Sequence, residues 1–170
     1  MIGIVSDIMF MNHDTGDYHP ECPLRIQYLH SLFAGNDDRQ ILLVDPVAAS
    51  AEDVMLNHGR SYVEMISQTS RSGSLVDLDP DTVCSSESYD VALCAAGSLM
   101  ELTKMAIDGR IDSGFACVRP PGHHARRDDA MGFCLFNNVA VAAHKAIRDF
   151  GVGKVAIIDF DVHHGNGTQE

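Results

Sequence analysis

The stretch from Lys154 to Glu170, KVAIIDFDVHHGNGTQE, constrains the fold more than any other part of the chain. Residues 154–158 are almost unbroken apolar and β-branched with no polar alternation, the pattern of a parallel strand buried on both faces. Polarity then changes abruptly. Asp159, Asp161 and His163 fall at i, i+2 and i+4, and on an extended strand such residues share one face. Two carboxylates at the end of a core strand need a partner, because an unpaired buried charge costs several kcal/mol or neutralises itself. A metal ion meets that need; a hydrogen-bonded strand terminus is the alternative reading. Gly165 and Gly167, around Asn166, suit a tight turn at the strand's carboxyl end, the edge where open α/β sheets collect ligands. A phosphate loop fits poorly, since a third glycine and a following basic residue are absent and the acidic strand end repels phosphate.

Strand and helix patterns alternate along the rest of the chain, which predicts an α/β parallel sheet. Strands are expected at Ile2 to Ser6, Ile41 to Val44 and Phe115 to Val118, with a loop from Met9 to Glu21. A helix opened by Pro23 runs to about Phe33, with Leu24, Tyr28 and Leu32 as its apolar stripe. Ser50 and Asp53 form a capping-box-like start to a helix reaching His58, and a short helix covers Ser61 to Ser67. Thr69 to Ser74 reads as a surface loop and Asp77 to Asp81 as an acidic turn. A long helix spans Ser86 to Ile107 on Tyr89, Leu93, Ala96, Met100 and Ile107, and another spans Asn138 to Phe150.

The net charge of −12 argues against a nucleic-acid surface, which needs a basic patch, and is compatible with cationic substrates. The cysteines Cys22, Cys84, Cys94, Cys117 and Cys134 have no CxxC or disulfide-like spacing, which reads as reduced thiols in a cytoplasmic protein. Met1 leads into IGIVSD without a basic leader, and no apolar run approaches the ~20 residues that span a bilayer, so no membrane association is expected.

Adjacent His123 and His124 follow Arg119, Pro120, Pro121 and Gly122 at the carboxyl end of a strand. A neutral imidazole can take a proton from water and return it to a leaving amine. The stretch RPPGHHARRDDAMGFCLFNN, together with DFDVHHGNGTQ and with HPECPLRI at His19 to Ile26, closely resembles the histone deacetylase family. The likeness is strongest to its class II branch and bacterial relatives, which include acetylpolyamine amidohydrolases.

The resemblance implies a three-layer arginase/deacetylase-like α/β fold and metal-dependent hydrolysis of an acetyl amide, on acetyl-lysine or an acetylpolyamine. Asp161 and His163 match two ligands of zinc or a similar divalent ion, and His123 and His124 match the acid/base pair. Asp159 matches the carboxylate that orients the first histidine, and Asn166 the residue facing the second. Oxygens around Asp159, Asp161 and His163 match a structural potassium site. Gly132 and Phe133 match the wall of the acyl channel, Asp81 a rim residue that grips substrate, and Arg25 an arginine behind the site. His164 is expected beside the site, His19 in a structural role, and His13, His30, His58 and His144 on the surface. An ordinary helix arginine, a turn aspartate and a core phenylalanine are the plainer readings of Arg25, Asp81 and Phe133.

In that family a third ligand, an aspartate, and a tyrosine or histidine that stabilises the oxyanion lie downstream of HHGNGTQ. Residues 1–170 are therefore expected to be the N-terminal portion of one catalytic domain, with strands missing between the third strand and 154–158. A non-catalytic binding module or pseudoenzyme that retains the pocket is the second expectation. An arginase-like ureohydrolase fits less well, because its DxHxD style of motif does not match DFDVHH.

Overall fold

A computed structural model describes all 170 residues, Met1–Glu170. Three parallel strands, β1 (Ile2–Ser6), β2 (Ile41–Leu43) and β5 (Ser113–Cys117), form a sheet in the order β2-β1-β5. An antiparallel hairpin, β3 (Val76–Asp79) and β4 (Thr82–Cys84), stands apart from it. The helices are α1 (Leu24–Ala34), α2 (Ala51–Val54), α3 (Arg60–Arg71), α4 (Ser88–Ile107), α5 (Asn138–Asp149) and α6 (Asn166–Gln169).

The register of β1 and β5 decides which helix covers which face. Gly3 pairs with Gly114, and a Cβ on either would lie about 3 Å from Leu102 of α4. That close approach seats α4 on one face. Ile4 pairs with Phe115 on the opposite face, and the Phe115 ring meets Phe33 of α1 edge-on at 6.1 Å. The result is helix, sheet and helix in three layers, the arrangement a parallel sheet requires to cover both faces.

Helix α4 belongs to two cores. Val91, Ala95, Leu102 and Met105 pack toward the sheet, while Ala92, Ala96 and Met100 join Val54, Ile66, Phe136 and Val141 from α2, α3, α5 and the segment before α5. A helix buried on two sides needs small residues where neighbours come close. Gly97 is one such place, lying against the backbone of Val47 to Ala49.

Several expectations meet the structure differently. The Ser50–Asp53 capping box forms as read, with Ser50 Oγ accepting from Asp53 N–H at 3.1 Å. In α1, however, the stripe Leu24, Tyr28 and Leu32 is exposed, and Ile26, Leu29 and Phe33 face inward. Both faces carry apolar residues, so periodicity alone could not choose between them; the contact of Phe33 with Phe115 does. Helix α3 runs through Thr69 to Arg71, residues expected in a loop. The acidic segment expected as a turn becomes the hairpin β3–β4, turning at Pro80 and Asp81, because Thr82, Val83 and Cys84 are buried. A short 3₁₀ turn, Ile8–Met11, occupies the start of the expected loop.

The largest correction concerns residues 154–158, expected as a buried strand. They pair with no strand, and Ile157, Ile158 and Phe160 are 43%, 88% and 97% exposed. An extended apolar segment becomes a strand only when a neighbour takes its N–H and C=O groups. Here β5 pairs with β1 alone, and a groove bordered by Phe115, Ala116, Ile157 and Ile158 separates it from this segment.

Adding one methyl group at Gly97 drives it into the carbonyl of Val47 and the amide of Ala49, backbone atoms that cannot rotate away. Gly97→Ala is expected to lower unfolding free energy by about 1–3 kcal/mol, the usual cost of overpacking, measured by urea denaturation.

Candidate active site

Strand β5 delivers the chain to Arg119, whose guanidinium is buried. It forms a bidentate ion pair with Glu21, Nε to Oε1 at 2.5 Å and Nη2 to Oε2 at 2.6 Å, and donates through Nη1 to the Phe10 carbonyl at 3.0 Å. Neither charge reaches water, and each is satisfied by the other. His13 lies beside them, with Nε2 3.7 Å from Glu21 Oε2 and Nδ1 2.7 Å from Ser88 Oγ.

Beyond the two prolines come His123 and His124, with ring centroids 4.0 Å apart. His123 Nδ1 is 2.8 Å from Asp159 Oδ2, and His124 Nδ1 is 2.6 Å from Asn166 Oδ1. A carboxylate and an amide oxygen only accept, so both histidines carry a proton on Nδ1, and neither Nε2 bonds to another protein group. The hydrogen bond from His123 holds the Asp159 carboxyl below the ordinary carboxylate range.

The turn HHGNG makes this pairing. Gly165 stands against Asp159 Oδ2, and Gly167 against the Ala125 carbonyl, where any side chain would collide. Gly167 N–H and Thr168 N–H donate to the His123 carbonyl at 3.0 and 3.2 Å. The two glycines thus bring the C-terminal motif onto the histidine loop.

Asp161 and His163 also come together. His163 donates its backbone N–H to Asp161 Oδ1 at 2.7 Å, and its Nδ1 lies 2.8 Å from the same atom. These contacts, the backbone one first, hold the Asp161 carboxyl below its usual range. A carboxylate and an imidazole are suitable donors for a divalent cation, but no third His, Cys, Asp or Glu joins them. A catalytic zinc site uses three protein ligands, one more than the two donors paired here. Asp159, expected on the same face, is turned away to His123.

A cavity of about 330 Å³ brings His123, His124, Asp161 and His163 together with Asp81, Gly132 and Phe133, and with Glu21 and Arg25 behind them. Asp81 Oδ1 accepts from Gly132 N–H at 3.2 Å, and the Asp81 carbonyl accepts from His19 Nε2 at 3.0 Å. Phe133, at φ 69°, stacks edge-on against His19 at 4.9 Å. The hairpin β3–β4 and the HPE segment therefore hold one wall of the cavity. His164 bonds Gln169 at 2.5 Å.

The histone deacetylase domain family matches residues 19–170 of this sequence. The chain belongs to the histone deacetylase family. Histone deacetylase 5 of Arabidopsis thaliana is 41% identical over 99% of the chain, which covers 27% of that protein. A probable deacetylase of Archaeoglobus fulgidus is 33% identical over 99% of the chain, covering 47% of that protein. The crystal structure of the HDA15 HD domain superposes with a TM-score of 0.92 at 36% identity, over 99% of this chain and 49% of that one. The chain thus has the parallel-sheet fold of the histone deacetylase domain and spans about half or less of the length of these relatives.

Within this histone deacetylase framework the sequence reading missed several residues. Glu21 and Arg119 lay inside recognised motifs, HPECPLRI and RPPGHH, yet nothing in their spacing announced that they pair across the fold. His13 and His58 were expected on the surface and are both 1% exposed. His58 Nδ1–H donates to the Arg126 carbonyl at 2.9 Å, and its Nε2 accepts from Asn137 N–H at 2.9 Å. His30 is half-buried, 3.4 Å from Ser6 Oγ, and His144 is exposed as expected. No helix is long and apolar enough to cross a membrane.

Burial pushes the pKa of His13 and of His58 down to about 4. For His13 desolvation outweighs the attraction of Glu21, whose charge Arg119 already balances. Both imidazoles are neutral when folded and take up protons near pH 6.5 when unfolded. Their contribution is therefore intact above pH 6.5 and is lost as pH falls through the window to about 4. Each is expected to remove roughly 3 kcal/mol of unfolding free energy below that window, checked by denaturation at stepped pH, with His13→Gln and His58→Gln flattening the profile.

Proposed function

We propose that the protein is a metal-dependent deacetylase that hydrolyses an acetyl or related acyl amide on an amine, acetyl-lysine or an acetylpolyamine. Residues 1–170 supply the N-terminal portion of its catalytic domain. The observation that carries the reading is the pair His123 and His124, each anchored through Nδ1 and each lining the cavity shared with Asp161 and His163. Membership of the histone deacetylase family supports the same reaction.

Zinc or another divalent ion held by Asp161, His163 and a further ligand from outside these residues would act as a Lewis acid on the scissile carbonyl. The chain's own residues do the proton work. Asp159 fixes the tautomer and orientation of His123, so that Nε2 can accept a proton from the attacking water. Asn166 orients His124 in the same way, and the proton that Nε2 of the pair takes from the water is the one given to the leaving amine. Gly132 and Phe133 wall the passage for the acyl-bearing chain. Asp81, with Oδ1 engaged by Gly132, offers Oδ2 to a substrate N–H at the rim. A structural potassium ion among the oxygens around Asp159, Asp161 and His163 belongs to the same reading. The five free cysteines support a reducing, cytoplasmic setting.

His124→Ala in the complete protein is expected to lower turnover of an acetyl-lysine peptide by about 10²–10⁴-fold while metal content stays intact. Unchanged turnover removes His124 from the reaction.

The cavity that brings His123, His124, Asp161 and His163 together would also serve a second reading, a binding module that keeps the pocket without turnover. The two readings separate in one measurement on the complete protein. Stoichiometric zinc with hydrolysis supports the enzyme, and substrate binding without hydrolysis supports the module.

A further inference from the structure

The loop that carries His123 and His124 is held from two directions. On one side the amides of Gly167 and Thr168 take the His123 carbonyl. On the other, two residues beyond His124, the Arg126 carbonyl accepts from His58 Nδ1–H at 2.9 Å, and the Arg127 carbonyl accepts from Gly59 N–H at 3.0 Å. The loop closes on itself through Arg126 N–H to the Asp129 carbonyl at 2.9 Å.

His58 does more than fill space. Its Nε2 accepts the Asn137 N–H at 2.9 Å, and Asn137 caps α5 with Oδ1 while its Nδ2 donates to Thr168 Oγ1 at 3.1 Å. One imidazole therefore joins the histidine loop, the start of α5 and, through Asn137, the α6 segment that carries Asn166. A carbonyl accepts and an amide N–H donates, so both ring nitrogens are committed and the tautomer is fixed as Nδ1–H. Tyr62 and Phe136 pack against the ring at centroid distances of 5.5 and 5.4 Å and remove its freedom to rotate.

We infer that His58, with Gly59, is a positioning latch for the acid/base histidines, acting through the backbone of the loop that bears them. The inference rests on the deacetylase reading for its kinetic consequence and on geometry alone for its structural one. Latch and filler differ in what each ring nitrogen contributes, and three substitutions separate those contributions. His58→Phe keeps the ring volume and removes both hydrogen bonds. His58→Asn keeps a donor where Nδ1 stands, and His58→Gln keeps an acceptor where Nε2 stands.

In the complete protein, assayed on an acetyl-lysine peptide, kcat is expected to fall about ten- to hundredfold in H58F and H58Q and to recover in H58N, with KM changed by less than about twofold. The Asn137 amide should exchange fast in H58F and H58N and slowly in H58Q. Turnover then follows the Arg126 link and not the Asn137 link, a division that a filler would not produce. Native turnover in H58F, or a kcat that simply follows melting temperature across the three variants, overturns the latch. Should H58F not fold, equal turnover in H58N and H58Q overturns it as well.

If the unaltered protein hydrolyses no acetyl amide, the deacetylase reading fails and the latch is judged from the imidazole ¹⁵N resonances of His123 and His124. Resonances displaced in H58Q and restored in H58N support it, and resonances unmoved in both overturn it.

Discussion

The buried ion pair between Glu21 and Arg119 is the constraint on which the site depends. Two charges with almost no exposure survive in the interior only when every polar atom is met. Here the bidentate fork and the Phe10 carbonyl meet them. The pair ties the segment before α1 to the end of β5, across 98 residues of sequence. It thereby fixes where the chain leaves the sheet, and the histidines follow four and five residues later. Removing either partner would strand the other charge in a dry core, a cost of several kcal/mol. Burial keeps neighbouring His13 neutral, and Arg119 offsets part of the pull of the Glu21 charge.

From that anchor outward, the site is held mainly by backbone groups. The His123 carbonyl is taken by two amides of the α6 segment, the Arg126 and Arg127 carbonyls by His58 and Gly59, and the Gly132 and Phe133 amides by Asp81 and Thr82. Support of this kind places side chains without occupying them. His123 and His124 keep a free Nε2 because their loop is carried by its own main chain. The packing that makes this possible comes from α4, which separates the two cores and presses on the sheet through the paired Gly3 and Gly114.

Much of the site could be read in the sequence because its residues are local to two motifs. Asp159 with His123 and Asn166 with His124 were named as partners from RPPGHHA and DFDVHHGNG and meet as hydrogen-bonded pairs, while Asp161 and His163, read as two metal ligands, bond to each other. The supporting residues were not legible. A lone histidine after a short helix carries no local signal of burial, so His58 and His13 were read as surface residues. In α1 two apolar stripes competed, and the hairpin at Val76–Cys84 was hidden by its acidic turn-like composition.

The sequence alone determined the alternation of strands and helices, the capping of α2, and the glycines that bring HHGNG against the histidine loop, because each depends on neighbours in the chain. Only the tertiary structure decided which face of α1 is buried, that Glu21 meets Arg119, and that His58 spans the loop to α5, because these join residues distant in sequence. It also decided that residues 154–158, apolar enough for a core strand, run without a partner. A strand is defined by the neighbour that takes its hydrogen bonds, and among these 170 residues no neighbour lies beside it.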